Sequence, residues 1–477
     1  MTRHVVIAGY GMVGARLAEE IRRRDGRRVR LTVIGAEPYP AYNRILLSSL
    51  LSGGFEESRV LTHDAGWAFR HRVDLRLGVR VEGIDADARK IELSDGSVLP
   101  YDDLVLATGS VPRLPSVQGL DGEGVSAFRD LDDCRRIRSL ADVSVAVLGG
   151  GVLGVEVACA LAERGVRVTV VHPAAVPMDR QLDAAGGSVV ASMLSRLGVG
   201  LCFGRRATGW RPGDGLLLDD GELLPADALV VTAGVVPETA LARAASVEVN
   251  VGVVVDDRLA TSRPGIFAIG DCAEFQGAVP GLVQPGWDQA EVLADLLTGA
   301  DPGARYVGTP SVTRLKAHGI DLVSLGSFTG GEELSFCDAR RGRYARLSLD
   351  GDKVVGAAIL GLPDAGAAIT QHFVRGTPAP SDRMGFLLGR ALPPEGVAAG
   401  GPSRLPAAAE ICRCNRVTKR QLVHAWQSGA RTVERLATAT RATTGCGSCV
   451  DAVDGICSWL AAADTSPDSS ADAELAG

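Results

Sequence analysis

The stretch VVIAGYGMVG, Val5–Gly14, is an apolar run that ends in three glycines spaced as G-x-G-x-x-G. The residues that follow, ARLAEEIRRR, have helical periodicity, and the next apolar run, LTVIG, has the length of a second strand. In such a unit the first glycine permits a tight turn, and the second lets backbone amides approach a pyrophosphate. The third glycine lets the helix pack closely on the strand. The stretch therefore predicts a dinucleotide-binding fold, with the phosphates at the positive end of the helix dipole.

An acidic residue stands where the ribose of such a dinucleotide is bound. Glu37 follows the second predicted strand, and a carboxylate at this position accepts hydrogen bonds from a ribose diol. The alternative, an ordinary glycine turn before a helix, explains neither the flanking strands nor this acid. The residues predicted to form this first site are Gly9, Tyr10, Gly11, Met12, Gly14 and Glu37.

The same unit recurs in SVAVLGGGVLGVEVACALAERGVRVTVVH, Ser144–His172. Its three loop glycines repeat the first spacing, so the chain is predicted to bind two dinucleotides. The second strand ends at His172, and neither a ribose-binding acid nor an arginine for a 2′-phosphate stands there. The nearest arginine, Arg180, lies eight residues further on, so NADH is favoured while NADPH stays open.

Two further motifs resemble signatures of the two-dinucleotide-fold flavoprotein reductases, the pyridine nucleotide-disulfide oxidoreductase superfamily. They are ATGSVPR, Ala107–Arg113, and TSRPGIFAIGDCAE, Thr261–Glu274. The resemblance implies that the first site holds FAD, with Asp271 contacting its ribityl and pyrophosphate part, and that the second site holds NAD(P)H. The segment AYNRILLSSLL, residues 41–51, resembles the chain that passes beside the isoalloxazine ring in that superfamily.

The resemblance assigns further residues to both sites. For FAD it adds Arg44, Ser48, Val81, Ala107, Thr108, Gly109 and Asp271. For NAD(P)H it gives Gly149, Gly151, Val152, Leu153, Gly154, Glu156 and Gly234. Arg44 and Glu156 are the candidates for a direct role in flavin-mediated hydride transfer. The alternatives are a surface arginine, a helix-capping Ser48, and a glutamate that only complements a helix dipole.

Relatives that reduce disulfides or peroxides carry a cysteine beside the flavin, whereas the first cysteine of this chain is Cys134. The next four cysteines have no partner or base nearby in the sequence, so we expect each to pack in a buried position. They are Cys159, Cys202, Cys272 and Cys337. Thiol chemistry at the flavin is therefore not expected.

The chain closes with two tight cysteine pairs, after a segment rich in proline, glycine and alanine. Cys412-x-Cys414 and Cys446-x-x-Cys449 are separated by thirty-one intervening residues. Four such thiolates can hold either a structural zinc ion or an iron–sulfur cluster. The sequence between the pairs predicts two short helices joined near Gly429, a fold too small to be stable without a metal.

Thr418 and Thr432 are the predicted N-caps of these two helices. The motifs ICRCN and TGCGSC resemble the 2Fe-2S domain of bacterioferritin-associated ferredoxin, which is also appended to nitrite and nitrate reductase flavoproteins. The resemblance implies a 2Fe-2S cluster held by the four paired cysteines. Cys457, at apolar spacing on the following helix, is expected to be a core residue.

In residues 306–388, apolar and polar residues alternate as in β-strands, and a D-G pair predicts a turn between two of them. These residues resemble the interface domain of NADH-dependent ferredoxin and rubredoxin reductases. The chain is thus predicted to be α/β, with two Rossmann-like domains of the glutathione reductase type, an α/β interface domain and a small helical 2Fe-2S domain. The predicted bounds are 1–113 with 238–300 for FAD, 114–237 for NAD(P)H, 301–390 for the interface domain, 391–409 for a linker, 410–461 for the 2Fe-2S domain and 462–477 for a disordered tail.

Composition limits the compartment and the partners. The net charge of -7 provides no basic stripe, so nucleic acid is not an expected partner. The chain enters its first strand without a leader-like stretch, and no apolar run approaches about 18 residues, so no membrane association is expected. A cytoplasmic location follows, where ten cysteines favour free thiols or metal ligands over disulfides.

The resemblance implies that hydride passes from NAD(P)H to FAD, and that single electrons then pass through the 2Fe-2S cluster to a separate terminal reductase. Nitrate reductase is favoured over nitrite reductase, because the C-x5-C and C-x3-C ligands of a sirohaem domain are missing from the sequence. Two alternatives stay open. One is a stand-alone ferredoxin or rubredoxin reductase with a zinc-binding tail, and the other is a non-enzymatic redox or nicotinamide sensor.

Overall fold

The computed structural model describes residues 3–25, 28–54, 56–279, 281–317, 319–390, 402–412, 415, 417–443 and 449–465. The chain forms two compact units, residues 1–391 and residues 392–477. Among the described residues, no helix combines the length and the apolar character needed to cross a bilayer.

The first part of the larger unit is a parallel sheet with one antiparallel meander. Its elements are β1 His4–Ala8, α1 Met12–Asp25, β2 Arg30–Gly35, α2 Leu47–Ser52, α3 Trp67–Arg70, β3 Asp74–Leu77, β4 Val81–Asp85, β5 Lys90–Leu93, β6 Val98–Pro100, β7 Asp103–Leu106 and β8 Ser110–Pro112. Strands β1 and β7 are buried along their whole length, because the sheet is covered on both faces.

The second part repeats the parallel sheet. Its elements are β9 Val125–Ala127, α4 Leu131–Arg138, β10 Ser144–Leu148, α5 Val152–Glu163, β11 Arg167–His172, α6 Ala184–Arg196, β12 Gly200–Phe203, β13 Ala207–Arg211, β14 Gly215–Leu218, β15 Leu223–Pro225, β16 Ala228–Val231 and β17 Val235–Pro237. The sheet order is β12-β11-β10-β16-β9, with every neighbour parallel. Strands β8 and β17 pair antiparallel where the chain enters and leaves this part.

The chain then returns to the first sheet through α7 Ala240–Ala244, β18 Val253–Val255, β19 Ile266–Ala268, β20 Ala273–Phe275 and α8 Val283–Thr298. The completed order is β19-β7-β1-β2-β3, all parallel. Parallel pairing brings the carboxyl ends of these strands to one edge, where Gly9, Glu37, Ala107 and Gly270 follow four of them. The fold class predicted for the two dinucleotide units is confirmed.

The third part is an antiparallel sheet, built from β21 Val312–Ala317, β22 Ile320–Gly326, β23 Glu332–Asp338, β24 Arg343–Asp350 and β25 Lys353–Leu360, with helices α9 Pro363–Arg375 and α10 Arg383–Leu387. The order is β21-β22-β25-β24-β23, and the predicted D-G turn joins β24 to β25. Tyr344 on β24 donates a hydrogen bond to Asp183 of the second part, at 2.7 Å. The buried position expected for Cys337 is wrong, because β23 is an edge strand and exposes this residue.

The smaller unit contains β26 Glu410–Cys412, β27 Val417–Thr418, α11 Lys419–Gln427, α12 Val433–Thr440 and α13 Val450–Thr465. Both predicted caps are confirmed, because the side chains of Thr418 and Thr432 accept hydrogen bonds from the first turns of α11 and α12. Gly429 takes the turn between these helices with φ +102°.

The folded part of this unit extends beyond the predicted bounds of 410–461. Helix α13 continues to Thr465, so residues 462–465 are helical and do not belong to the predicted tail. Lys419 of α11 donates two hydrogen bonds to the predicted linker. Its ammonium donates to the carbonyl of Leu405 at 2.8 Å, and its backbone amide donates to the carbonyl of Ala409. Residues 391–401 of that linker and 466–477 of that tail lie outside the described residues.

Candidate functional site

In the first glycine loop, the two outer glycines make close backbone contacts and the middle glycine faces open space. Gly9 has φ +121°, and a β-carbon there would lie 2.2 Å from the carbonyl oxygen of Ala107. A β-carbon at Gly14 would lie 2.0 Å from the carbonyl oxygen of Gly9, so strand, loop and helix touch through backbone. A β-carbon at Gly11 would meet nothing within 4 Å. Gly11 therefore leaves an uncovered backbone, a cradle of the kind that a pyrophosphate needs.

The other predicted residues of this loop are tied into the surrounding fold. Tyr10 is 7% exposed, and its hydroxyl meets Nδ1 of His63 at 2.5 Å. Burial raises the pKa of Tyr10, so its phenol stays protonated. The carbonyl of Met12 accepts a hydrogen bond from Trp287 Nε1 on α8, at 3.2 Å. These contacts fix the loop against α3 and α8.

Glu37 and Arg44 meet at the end of β2. The carboxylate of Glu37 accepts a hydrogen bond from Tyr42 at 2.6 Å and pairs with the Arg44 guanidinium. That guanidinium also lies over the Tyr42 ring, 5.4 Å from its centroid. Arg44, a candidate for hydride transfer, is therefore paired with the predicted ribose acid.

Asp271 lies in a hydrogen-bonded cluster with Ser110 and Arg129. It accepts hydrogen bonds from Ser110 Oγ at 2.8 Å and from Arg129 at 3.1 Å. Arg129 also donates to Ser110 Oγ at 2.6 Å. Burial lowers the pKa of Arg129, and the neighbouring Asp271 opposes that shift and keeps the guanidinium charged. The cluster places a desolvated cation beside the residue predicted to face the FAD pyrophosphate.

Arg129 is a candidate site residue that the sequence motifs did not indicate. It lies in FRDLDD, directly before the Asp130 cap of α4, and nothing in that motif distinguishes it from other arginines of the chain. Its position depends on β9 and α4 packing beside Asp271, which is 142 residues away in sequence. A tertiary contact of this kind leaves no local signal.

The ATGS segment joins the two dinucleotide units. Ala107 is 8% exposed and closes on Gly9, while Gly109 has φ +75°. The hydroxyl of Thr108 donates to the carbonyl of Glu238 at 2.9 Å, where the chain returns from the second part of the larger unit to the first. Val81 is 6% exposed with its side chain in the core, so its predicted contact with FAD would involve the main chain.

The second glycine loop repeats the geometry of the first. Gly149 has φ +122°, and a β-carbon there would lie 2.6 Å from the carbonyl of Thr232. A β-carbon at Gly154 would lie 1.8 Å from the carbonyl of Gly149, whereas one at Gly151 would meet nothing within 4 Å. Val152 and Leu153 open helix α5, and Gly234 follows β16 with φ +96°. The loop fits a second pyrophosphate at a helix N-terminus.

Two predicted site residues, one from each dinucleotide-binding part of the larger unit, form a buried hydrogen bond. Ser48 on α2 donates to Glu156 on α5, with 3.0 Å between Oγ and Oε2. Ser48 is 4% exposed and Glu156 is 8% exposed. The predicted flavin neighbour and the predicted nicotinamide neighbour therefore meet, although they are 108 residues apart in sequence.

Three cysteines of the larger unit are buried thiols. Desolvation raises the pKa of Cys134 to about 11 and that of Cys159 to about 12. Cys272, next to Asp271, is fully buried, and burial raises its pKa as well. These thiols stay protonated at neutral pH, so they are not nucleophiles for the flavin.

Two of the four paired cysteines lie in the described part of the smaller unit. Cys412, at the end of β26, is 0% exposed and Cys449 is 4% exposed. The backbone amide of Thr443 donates to Cys449 Sγ at 3.3 Å, and Thr443 adopts φ +67° to do so. An amide directed at a buried sulfur fits a metal-bound thiolate. Cys414 and Cys446 lie outside the described residues, so the four-cysteine ligand set stays a prediction.

Replacing Arg129 with alanine should weaken FAD binding. The change removes the desolvated cation and leaves Asp271 facing the predicted pyrophosphate position alone. Loss of one charge-assisted hydrogen bond corresponds to about a 10- to 100-fold lower affinity. Flavin absorbance per chain after gel filtration measures the effect. Arg138→Ala, an exposed change at the end of α4, is the control and should retain FAD. Full retention of FAD by Arg129→Ala would remove this residue from the site.

Family models match three parts of the chain. The model for pyridine nucleotide-disulphide oxidoreductases matches residues 3–291. The model for the rubredoxin NAD+ reductase C-terminal domain matches residues 311–369, and that for the BFD-like 2Fe-2S binding domain matches residues 410–458. Together the matches include both glycine loops, the antiparallel sheet and all four paired cysteines.

Two curated relatives from Bacillus subtilis (strain 168) align with nearly all of the chain. Nitrite reductase [NAD(P)H] is 33% identical over 466 residues, which covers 95% of this chain and 57% of that protein. The assimilatory nitrate reductase electron transfer subunit is 32% identical over 469 residues, which covers 96% of this chain and 60% of that protein. The chain thus spans about three fifths of the length of these relatives.

Solved structures share the fold of the larger unit. The ferredoxin reductase for the CYP199A2 system from Rhodopseudomonas palustris is similar with a TM-score of 0.69 at 30% identity. The similarity covers 75% of this chain and 91% of that one.

Proposed function

The chain belongs to the pyridine nucleotide-disulphide oxidoreductase family, and on that premise we propose that it passes electrons from NAD(P)H to a separate terminal reductase. It is an FAD-dependent NAD(P)H oxidoreductase, and its further cofactor is a 2Fe-2S cluster in the smaller unit. The proposal is supported above all by one observation. Two open glycine cradles, at Gly11 and Gly151, occur in the same chain as buried cysteines with an amide directed at sulfur.

FAD accepts hydride from a nicotinamide and returns electrons singly, and a 2Fe-2S cluster carries one electron at a time. The residues of the chain hold and orient these groups. The open loop backbones at Gly11 and Gly151 would bind the pyrophosphates, while Arg129 and Asp271 would hold one end of the flavin nucleotide. Ser48 holds the Glu156 carboxylate at the face shared by α2 and α5, so that the residues predicted to neighbour the flavin and the nicotinamide would act together.

We propose the catalytic chain of an assimilatory nitrate reductase as the recipient, in preference to a nitrite reductase. The support is the similarity to a relative named as an electron transfer subunit, whose alignment includes both units of this chain. The sequence also carries one four-cysteine set, and that set serves the smaller unit. A chain that delivers single electrons through this cluster would pass them to a partner that contains the site of nitrate reduction.

The proposal is tested by mixing the purified full chain with either an assimilatory nitrate reductase catalytic chain or a sirohaem nitrite reductase. NADH-dependent formation of nitrite from nitrate is the expected result, with about one nitrite formed per NADH because both conversions involve two electrons. Turnover only with the nitrite reductase would overturn the choice of partner. Turnover only with rubredoxin, together with zinc in place of iron in the purified chain, would favour the stand-alone reductase.

A further inference from the structure

The end of β11 carries an imidazole with a fixed orientation. The amide of Gly150 donates a hydrogen bond to His172 Nδ1 at 3.2 Å, so in the neutral ring the proton lies on Nε2. Nε2 in turn lies 3.0 Å from Asp179 Oδ1. His172 therefore accepts from the second glycine loop and donates to a carboxylate seven residues further along the chain.

The segment between His172 and Asp179 contacts Gly150 at both of its ends. A β-carbon at Gly150 would lie 2.9 Å from His172 Cγ, so the ring packs directly on the loop backbone. The amide of Met178 donates to the Gly150 carbonyl at 2.8 Å. Together these contacts hold Asp179 beside the dinucleotide loop, while 43% of its side chain stays exposed.

The charges around this position favour a neutral ribose. Arg205, whose amide lies 3.3 Å from the His172 carbonyl, pairs through its guanidinium with Asp220 and Glu222. Arg180 follows Asp179 in sequence and is exposed. The carboxylate held against the loop is therefore the charge nearest to the imidazole, and a 2′-phosphate would be repelled by it.

We propose that Asp179, oriented by His172, binds the adenosine ribose hydroxyls and makes the enzyme prefer NADH to NADPH. In most such folds this carboxylate follows the second strand directly. Here His172 occupies that place, and a loop residue supplies the acid. The inference depends on NAD(P)H oxidation by the chain and not on the identity of the terminal reductase, so either can fail alone.

The test compares NADH and NADPH on the full FAD-loaded chain, with ferricyanide as acceptor. The expected wild-type preference is for NADH, and Asp179→Asn should lower the NADH to NADPH ratio of kcat/KM by about 10-fold or more. The change should appear mainly in KM. Asp214→Asn removes the same charge from the exposed turn between β13 and β14 and should leave the ratio unchanged.

Binding supplies a second readout, independent of turnover. Calorimetry with ADP-ribose and with its 2′-phosphate should show the wild-type chain favouring the former, and Asp179→Asn losing that preference. His172→Gln, which can still accept and donate, should retain more discrimination than His172→Ala if the ring acts by positioning Asp179. Equal affinities in the wild type, an unchanged ratio in Asp179→Asn, or a gain in ADP-ribose preference in Arg180→Ala would overturn the assignment.

Discussion

Cys449→Ser should abolish electron delivery to the terminal reductase while the chain still oxidises NADH. Cys449 is 4% exposed and its sulfur receives the Thr443 amide, so a hydroxyl there would lack the thiolate that binds iron. Disturbing a partner of a metal ligand already costs about 10- to 100-fold in metal affinity, and losing the ligand itself costs more. Partner-dependent turnover should therefore fall by at least about 100-fold.

Two measurements separate cluster loss from general damage. Iron and acid-labile sulfide should fall from about two per chain, the content of one 2Fe-2S cluster, to near zero. NADH-driven reduction of ferricyanide should stay within about twofold, because the predicted flavin site lies in the other compact unit. Cys457→Ser on α13 is the matched control, since Cys457 is predicted to be a core residue and not a ligand. Normal iron content in Cys449→Ser would contradict the predicted ligand set.

Gly151→Ala should leave the fold and the FAD content intact and remove most NADH oxidation. The added methyl meets nothing within 4 Å in the protein, so the free energy of unfolding should hardly change. It would instead occupy the backbone surface that the nicotinamide dinucleotide approaches. A steric cost of about 1–3 kcal/mol corresponds to a fall of about 5- to 150-fold in kcat/KM for NADH.

Gly154→Ala is the opposite case within the same loop. Its β-carbon would lie 1.8 Å from the Gly149 carbonyl and 2.8 Å from Thr232 Oγ1, so the helix must move away from the strand. We expect a loss of about 1–3 kcal/mol or more in the free energy of unfolding, seen as a lower melting temperature.

Gly11→Ala in the first loop should lose FAD and keep its fold. An unchanged KM for NADH in Gly151→Ala would argue against the second cradle.

The glycine loops could be predicted from sequence because their requirement is local. A positive φ restricts the residue type directly at Gly9 and Gly149, and a close backbone contact with the glycine five residues earlier restricts it at Gly14 and Gly154. The caps Thr418 and Thr432 were predictable for the same reason, since a cap bonds within its own first turn. The α/β class followed from the order of these local units.

Contacts between distant segments could not be predicted in this way. The Ser48–Glu156 hydrogen bond needs α2 to pack on α5, and the role of Arg129 needs α4 to lie beside Asp271. The exposure of Cys337 depends on the strand order, because the same sequence in a central strand would be buried. The proposed role of Asp179 could not be predicted from the sequence, because this residue lies in a loop and its carboxylate is positioned by a hydrogen bond with His172.

The antiparallel pair of β8 and β17 lies where the chain enters and leaves the half of the larger unit that is predicted to bind NAD(P)H, so this half is one continuous insertion. Val111 pairs with Val236, so the two chain crossings are direct neighbours, about 5 Å apart. A short turn could join these strands if everything between them were removed, and the parallel sheet of the flavin half would keep all five of its strands. The topology therefore separates the part of the chain predicted to select the electron donor from the part predicted to store the electrons.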